Sequence, residues 1–226
     1  MNHQPISVAT DDGSLLYVHS IFSTIQGEGP FTGFPAIFIR LGGCNLQCPL
    51  CDTDYTSDIK LMTPHQILEE VQRFRLYGLV VITGGEPLRQ DIETLVNVLL
   101  KAGFKVQIET NGTLYRPLPF YAITIVCSPK GTRIHPAMHD HISALKYVVH
   151  ADAIDPDDGL PIYALGHTLK TMVARPPLGF LGPVYVQPID VQDVEENQRH
   201  LKAAIASVMR HGYRLCLQTH KIIGLE

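Results

Sequence analysis

The chain has 226 residues, of which 45% are hydrophobic, enough for one α/β domain that buries roughly 70% of its unfolded surface. Lys plus Arg is 18 against 22 Asp plus Glu, a formal charge of −4, which excludes the basic footprint of a protein gripping long nucleic acid and leaves room for a small anionic ligand. No apolar run reaches the ~18 residues of a membrane span, and Met1 to Asp12 is polar without Lys or Arg, so a soluble, cytoplasmic protein with no membrane partner is expected.

In chain order, residues 1–14 read as a flexible leader and 15–226 as a single core domain. Short apolar runs that end in polar, glycine-bearing residues predict strands at Ala36 to Leu41, Leu79 to Thr83, Lys105 to Glu109, Ile123 to Cys127, Leu145 to Val149, Val184 to Gln187 and Arg214 to Gln218. A helix is predicted from Pro64 to Phe74, with Thr63 as N-cap, Pro64 at the first position, Gln66 closing a capping box, and Ile67, Leu68, Val71 and Phe74 on one face. A second runs from Asp91 to Lys101, buries Ile92, Leu95, Val96 and Leu99, and stops at Gly103. A third, Val194 to Arg210, presents Leu201, Ile205, Val208 and Met209 to the core and ends at Gly212. Ala151 to Pro183 is rich in Pro, Gly and Asp and resists the pattern, with a short helix near Leu169 to Ala174. Helices alternating with parallel strands imply an α/β sheet or barrel.

In such folds ligand groups gather at the carboxyl ends of the strands. Gly42 to Cys51, Gly84-Gly85-Glu86-Pro87, Thr110-Asn111-Gly112, Ser128-Pro129-Lys130, Gln187-Pro188 and Thr219-His220-Lys221 all lie there. Cys44, Cys48 and Cys51 share the first of these loops, while Cys127 and Cys216 sit alone and read as buried strand residues. An odd thiol count with three so close suits metal ligation in a reducing compartment better than disulfides. Zinc and iron–sulfur are the candidates. Structural zinc wants four protein ligands, and here it would have to recruit Cys127 or Cys216. A 4Fe-4S cube on three cysteines leaves one iron free for the amino and carboxylate groups of S-adenosylmethionine, whose one-electron cleavage releases a 5′-deoxyadenosyl radical.

Cys44-x-x-x-Cys48-x-x-Cys51 and Gly84-Gly85-Glu86-Pro87 resemble the motifs of the radical S-adenosylmethionine superfamily. Further motifs narrow the resemblance: Thr24-Ile25-Gln26-Gly27-Glu28-Gly29, Phe38-Ile39-Arg40-Leu41, Cys51-Asp52-Thr53, Ile108-Glu109-Thr110-Asn111-Gly112, Ser128-Pro129-Lys130, Gln187-Pro188 and Gln218-Thr219-His220-Lys221. Together they look like the 7-carboxy-7-deazaguanine synthases. The resemblance implies an incomplete (β/α) barrel, paired as a homodimer. It also implies the ring contraction of 6-carboxy-5,6,7,8-tetrahydropterin to 7-carboxy-7-deazaguanine with loss of ammonia, a lyase step in queuosine and 7-deazapurine biosynthesis.

The same resemblance assigns roles. Cys44, Cys48 and Cys51 would hold the cluster and Thr53 a magnesium ion, which keeps water and takes few protein ligands. Leu50, Asp52, Gly85, Glu86, Ser128, Pro129, Lys130 and Gln187 would bind S-adenosylmethionine; Leu50 replaces an aromatic residue, so an apolar contact is expected there without ring stacking. Ile25, Gln26, Gly27, Glu28, Arg40, Thr83 and the terminal Glu226 would bind the pterin, with the planar fork of Arg40 on its carboxylate. No side chain is assigned as acid or base, and an external reductant such as flavodoxin would supply the electron. His135, His139 and His141, interrupted by Pro136, read as surface residues. A glycyl-radical activating enzyme and a non-catalytic iron–sulfur protein are the alternatives.

Overall fold

The computed structural model describes residues 3–6, 12–76, 78–167 and 172–225. Nine strands form one sheet in the order β3-β1-β2-β4-β5-β6-β7-β8-β9. These are β1 (Leu16–Ile25), β2 (Pro35–Leu41), β3 (Lys60–Met62), β4 (Leu79–Gly84), β5 (Lys105–Thr110), β6 (Ile123–Cys127), β7 (Ala144–Val149), β8 (Val184–Pro188) and β9 (Arg214–Leu215). From β2 to β9 every pairing is parallel; β1 and β3 add an antiparallel edge. Among the described residues β3 and β9 remain the free edges, so the barrel is incomplete, as expected.

The parallel strands are apolar on both faces because chain covers both: Leu79, Val80, Val81 and Ile82 of β4 and all six residues of β7 are buried. Helix α1 (Pro64–Arg73) starts as its sequence dictates, with Gln66 N–H donating to the Thr63 hydroxyl at 3.2 Å and the Gln66 side chain accepting from Thr63 N–H at 2.9 Å. Helix α2 (Glu93–Lys101) buries Leu95, Val96 and Leu99 as foreseen, but begins after Asp91, whose carboxylate accepts from Glu93 N–H.

Helix α3 (Val194–His211) corrects part of the expected face. Val208 packs against the core and Leu201 is half-buried, but Ile205 and Met209 are exposed, and the fully buried residues are His200, Ala204 and Ser207. The physical reason is the segment beneath. It follows β7 and its described residues contain no α-helix, so its backbone polar groups need partners: Ser207 Oγ donates to the Gly159 carbonyl at 2.6 Å, and His200 Nδ1 accepts from Ala151 N–H at 3.1 Å.

That segment is also pinned by Arg175, which donates to Asp158 Oδ2 at 2.6 Å and to the Pro161 carbonyl at 2.7 Å, and by the Tyr147 hydroxyl on the Ala174 carbonyl. Of the short helix expected near Leu169 to Ala174, residues 172–174 are not helical and the rest lies outside the described residues. Two strands, β1 and β3, were absent from the sequence reading. Strand β9 is shorter than expected: the chain leaves the ladder after Leu215 and enters helix α4 (Thr219–Ile222). Ahead of β1, Ile6 bridges to Cys44 and the Gln4 side chain bonds Thr53 O and Tyr55 N.

Candidate active site

The carboxyl ends of the parallel strands open into a cavity of about 570 Å³. The loop after β2 builds one wall, with Cys44, Leu46, Cys48, Leu50, Cys51, Asp52 and Thr53 all facing the space. Its anchor is Tyr55, 1% exposed, whose carbonyl accepts from Gly43 N–H at 2.7 Å and whose hydroxyl donates to Leu46 O at 3.3 Å. The end of β4 fits against the same loop: Gly85 N–H donates to Leu41 O at 3.2 Å and Glu86 N–H to Gly43 O at 3.0 Å. A Cβ on Gly85 would lie 2.1 Å from Gly43 O and 2.9 Å from the Cβ of Cys44, so glycine is needed for this approach.

Cys127 and Cys216 do not line the cavity. Cys127 is buried in β6, and Cys216 accepts from Gly29 N–H while its thiol faces Gln187 Oε1. Burial pushes the Cys44 thiol up to about 12 and Cys48 to about 11, against the pull of Lys130 on Cys48; Cys51 is raised for the same first reason. Such thiols become thiolates only when a metal centre compensates the charge. Among the described residues no three His, Cys, Asp or Glu side chains gather tightly enough for a single ion. The three thiols line the same cavity, where Cys51 adds to the raised pKa of both Cys44 and Cys48, and they suit a polynuclear centre whose ligands attach to different atoms. The donor set fits a three-cysteine iron–sulfur cluster.

The opposite wall carries charge. Lys146, in the middle of β7 and 6% exposed, donates to Glu28 and, at 3.2 Å, to Glu109 Oε2. Glu28 Oε1 further accepts from Gln187 at 3.2 Å and Gln218 at 2.9 Å. Glu109 Oε1 accepts from Gln26 at 2.9 Å and Gln107 at 3.0 Å. Burial alone would raise the Glu28 pKa, but the Lys146 ammonium beside it holds the carboxyl well below the usual range. Arg40, at the end of β2, lines the same space with its guanidinium 5.0 Å over the Phe22 ring.

The structure gathers most of the expected residues. Ile25, Gln26, Glu28, Arg40, Leu50, Asp52, Thr53, Thr83, Gly85, Ser128, Lys130 and Gln187 line the cavity beside the three cysteines. Gly27, Glu86 and Pro129 do not. Gly27 lies under α4, where an added Cβ would sit 1.9 Å from His220 Nδ1, and its carbonyl accepts from Thr219 N–H and Oγ1. Glu86 is wholly buried behind the wall, its carboxylate taken by the Thr110 hydroxyl at 2.7 Å and the N–H groups of Asn111 and Leu88. It braces the β5 loop. Glu226 lies outside the described residues, while Leu225 reaches the cavity. His135 and His141 stack on Tyr115, and His141 stacks on Phe120 at 3.9 Å.

Sequence reasoning missed Lys146 as a site residue and gave no role to Glu109 or His220, although all three line the cavity. The available signal was a lysine inside an otherwise apolar run, Ala144-Leu145-Lys146-Tyr147-Val148-Val149, since a charge in a buried strand needs a partner.

Residues 38–132 match the family model of the Radical SAM superfamily. The chain is 45% identical over 223 residues to the 7-carboxy-7-deazaguanine synthase of Rhodospirillum rubrum, covering 95% of this chain and 94% of that one. This chain belongs to the 7-carboxy-7-deazaguanine synthases. It is 43% identical to the Rickettsia prowazekii synthase over 97% of this chain and 93% of that one. Its fold is that of the QueE crystal structure from Escherichia coli, at a TM-score of 0.68 with 23% identity, covering 92% of this chain and 99% of the other. As a 7-carboxy-7-deazaguanine synthase of the radical SAM type, the chain is an enzyme that uses a 4Fe-4S cluster and S-adenosylmethionine, and the glycyl-radical activating alternative is not favoured.

Proposed function

We propose that the cavity converts 6-carboxy-5,6,7,8-tetrahydropterin to 7-carboxy-7-deazaguanine with loss of ammonia, binding the pterin between the charged wall and the thiol wall. The observation that carries this reading is the division of one cavity into two chemistries. One wall has three thiols and no fourth among the described residues; the other has Arg40 and a pair of lysine-bridged carboxylates.

Cys44, Cys48 and Cys51 would hold the cluster, and Gly85, Ser128, Lys130, Leu50, Asp52 and Gln187 would surround S-adenosylmethionine. When bound, these groups supply one-electron, hydrogen-abstracting chemistry. The chain's own contribution is position and exclusion of water. Lys130 is steadied by Ser128, to whose carbonyl it donates at 3.1 Å and to whose hydroxyl it also donates; burial and Lys146 lower its pKa, and the carboxylate of a bound ligand would favour its charged form. Arg40 would pair with the substrate carboxylate through its planar fork. Ile25, Gln26, Glu28 and Thr83 would border the ring, whose N–H edge suits carboxylate and amide acceptors.

Thr53, half-buried and facing the cavity, offers a hydroxyl to magnesium, completed by ligand oxygens and water. Gln26 and Gln187 are no more than 5% exposed, so the polar groups at the floor meet the ligand without competing bulk water. No described helix is long and apolar enough to cross a membrane. We place the enzyme in the cytoplasm as a homodimer, with flavodoxin as its reductant and 1–14 as a leader to a single core domain.

The test is anaerobic reconstitution with iron and sulfide, then incubation with the tetrahydropterin, S-adenosylmethionine, magnesium and a reductant. Equal yields of ammonia and deazapurine are expected. Cleavage of S-adenosylmethionine with no ammonia from the pterin would overturn the substrate.

A further inference from the structure

Among the described residues Lys146 is the one whose side chain bonds the carboxylates of both Glu28 and Glu109; Gln26 reaches the Glu109 carboxylate but only the backbone N–H of Glu28. Lys146 comes from the middle of β7, whereas Glu28 follows β1 and Glu109 stands in β5. Those elements are far apart in sequence, and the lysine joins them beneath the charged wall at 8% side-chain exposure. Two carboxylates against one ammonium leave the trio with one net negative charge. Every other bond to the pair comes from a neutral amide of Gln26, Gln107, Gln187 or Gln218. Remove the lysine and two negative charges face each other in a medium where water cannot screen them, so they would come to share a proton. One would then present a hydroxyl where it had presented an acceptor oxygen.

We propose that Lys146 is the positioning residue for the pterin half of the cavity: it holds Glu28 and Glu109 side by side as two carboxylates and so fixes an acceptor surface for the N–H edge of the substrate. The proposal rests on the pterin reading above. It assigns no contact between Lys146 and the substrate, because the ammonium is already directed at the two carboxylates.

The lysine also divides the cavity by function. The S-adenosylmethionine half is bordered by Ser128 and Lys130, which bond each other, and draws no hydrogen bond from Lys146. Replacing Lys146 therefore acts directly on the pterin half and reaches the other half only indirectly, through the Gln187 amide on Glu28 and the charge of Lys130. The further titratable groups facing the trio are Lys130 from the loop after β6, Cys216 beyond β9 and His220 of α4. Lys146 lowers the pKa of each of them, so its removal raises all three, and the S-adenosylmethionine titrations over the same pH range show that shift in the absence of pterin.

The experiment is calorimetric titration of the reconstituted holoenzyme, without reductant, measuring S-adenosylmethionine alone and then the tetrahydropterin in the presence of S-adenosylmethionine and magnesium, at several pH values from 6 to 9. Lys146→Met is expected to weaken pterin binding by roughly tenfold or more and to leave S-adenosylmethionine binding within about twofold. The variant's pterin affinity should recover as pH rises and the shared proton leaves, relative to the wild-type profile. A general structural defect would weaken both ligands and follow no such trend.

If the wild type binds no pterin, the functional reading fails and this inference with it. If the wild type binds pterin and Lys146→Met binds it equally well, or loses both ligands together, the inference alone is overturned. Should Lys146→Met not fold, the double variant Lys146→Met with Glu28→Gln, which removes one negative charge with the lysine, is expected to fold. A double variant as unfolded as the single one overturns the proposal.

Discussion

On the wall formed by β5, β7 and the turn after β1, two largely buried carboxylates are answered by a cation of the chain itself, Lys146, which keeps Glu28 below the usual carboxylate range against the cost of burial. On the wall formed by the loop after β2, the Cys44 and Cys48 thiols are buried and that of Cys51 is half-buried. The nearest cation, Lys130, only partly offsets what burial does to Cys48 and Cys51. The first wall is complete in the polypeptide; the second has its donors in place and needs iron to bring the positive charge. One cavity thus combines a surface organised by the chain with a surface organised by a cofactor, and the two should respond differently to mutation.

The sharpest break falls on the thiol wall. Cys48→Ala should abolish both the iron–sulfur absorption of the reconstituted protein and its turnover; retention of either would remove the cluster assignment. Next is Gly85→Ala. The added methyl would meet Gly43 O and the Cys44 Cβ, so the cysteine loop must shift, and we expect turnover to fall about a hundredfold, the cost of a ~1 Å misplacement, with reduced iron content. Normal iron content and rate would show that the loop yields freely.

A smaller effect tests where the walls meet. Thr53→Ala should leave the cluster spectrum intact while raising the magnesium concentration needed for half-maximal rate by about tenfold, as loss of one oxygen ligand predicts. An unchanged magnesium titration would reject Thr53. The smallest change lies outside both walls: Thr63→Ala removes the cap of α1 and should cost about 1 kcal/mol, a fall in Tm of about 2–4 °C, with kinetic constants untouched. A changed KM would mean that α1 communicates with the cavity.

The legible parts of the sequence were those whose signal is local. The capping box of Thr63 and Gln66 was found where it was read, and so were Gly212 as the left-handed cap of α3 and the apolar runs of β4 to β8. The apolar periodicity of α3 places Val208 correctly but not Ile205 and Met209, because the helix packs on an irregular segment whose carbonyls and N–H groups require Ser207 and His200. Strand β1 was missed because Leu16 and Val18 are buried but a bulge between Val18 and Ser20 breaks the alternation. At the site, motif residues such as Gln26, Arg40 and Thr53 reached the cavity, whereas Glu86 turned behind it to hold Thr110 and Asn111.

What the sequence alone determined was the inventory: three thiols on one loop, glycines where a strand end meets that loop, and the resemblance that names the chemistry. The tertiary structure alone decided the pairing of Lys146 with Glu28 and Glu109, which are 118 and 37 positions away from it. Backbone propensity and side-chain periodicity act over a few residues, while the energy of a buried charge depends on whichever groups the sheet order happens to bring within a few ångströms.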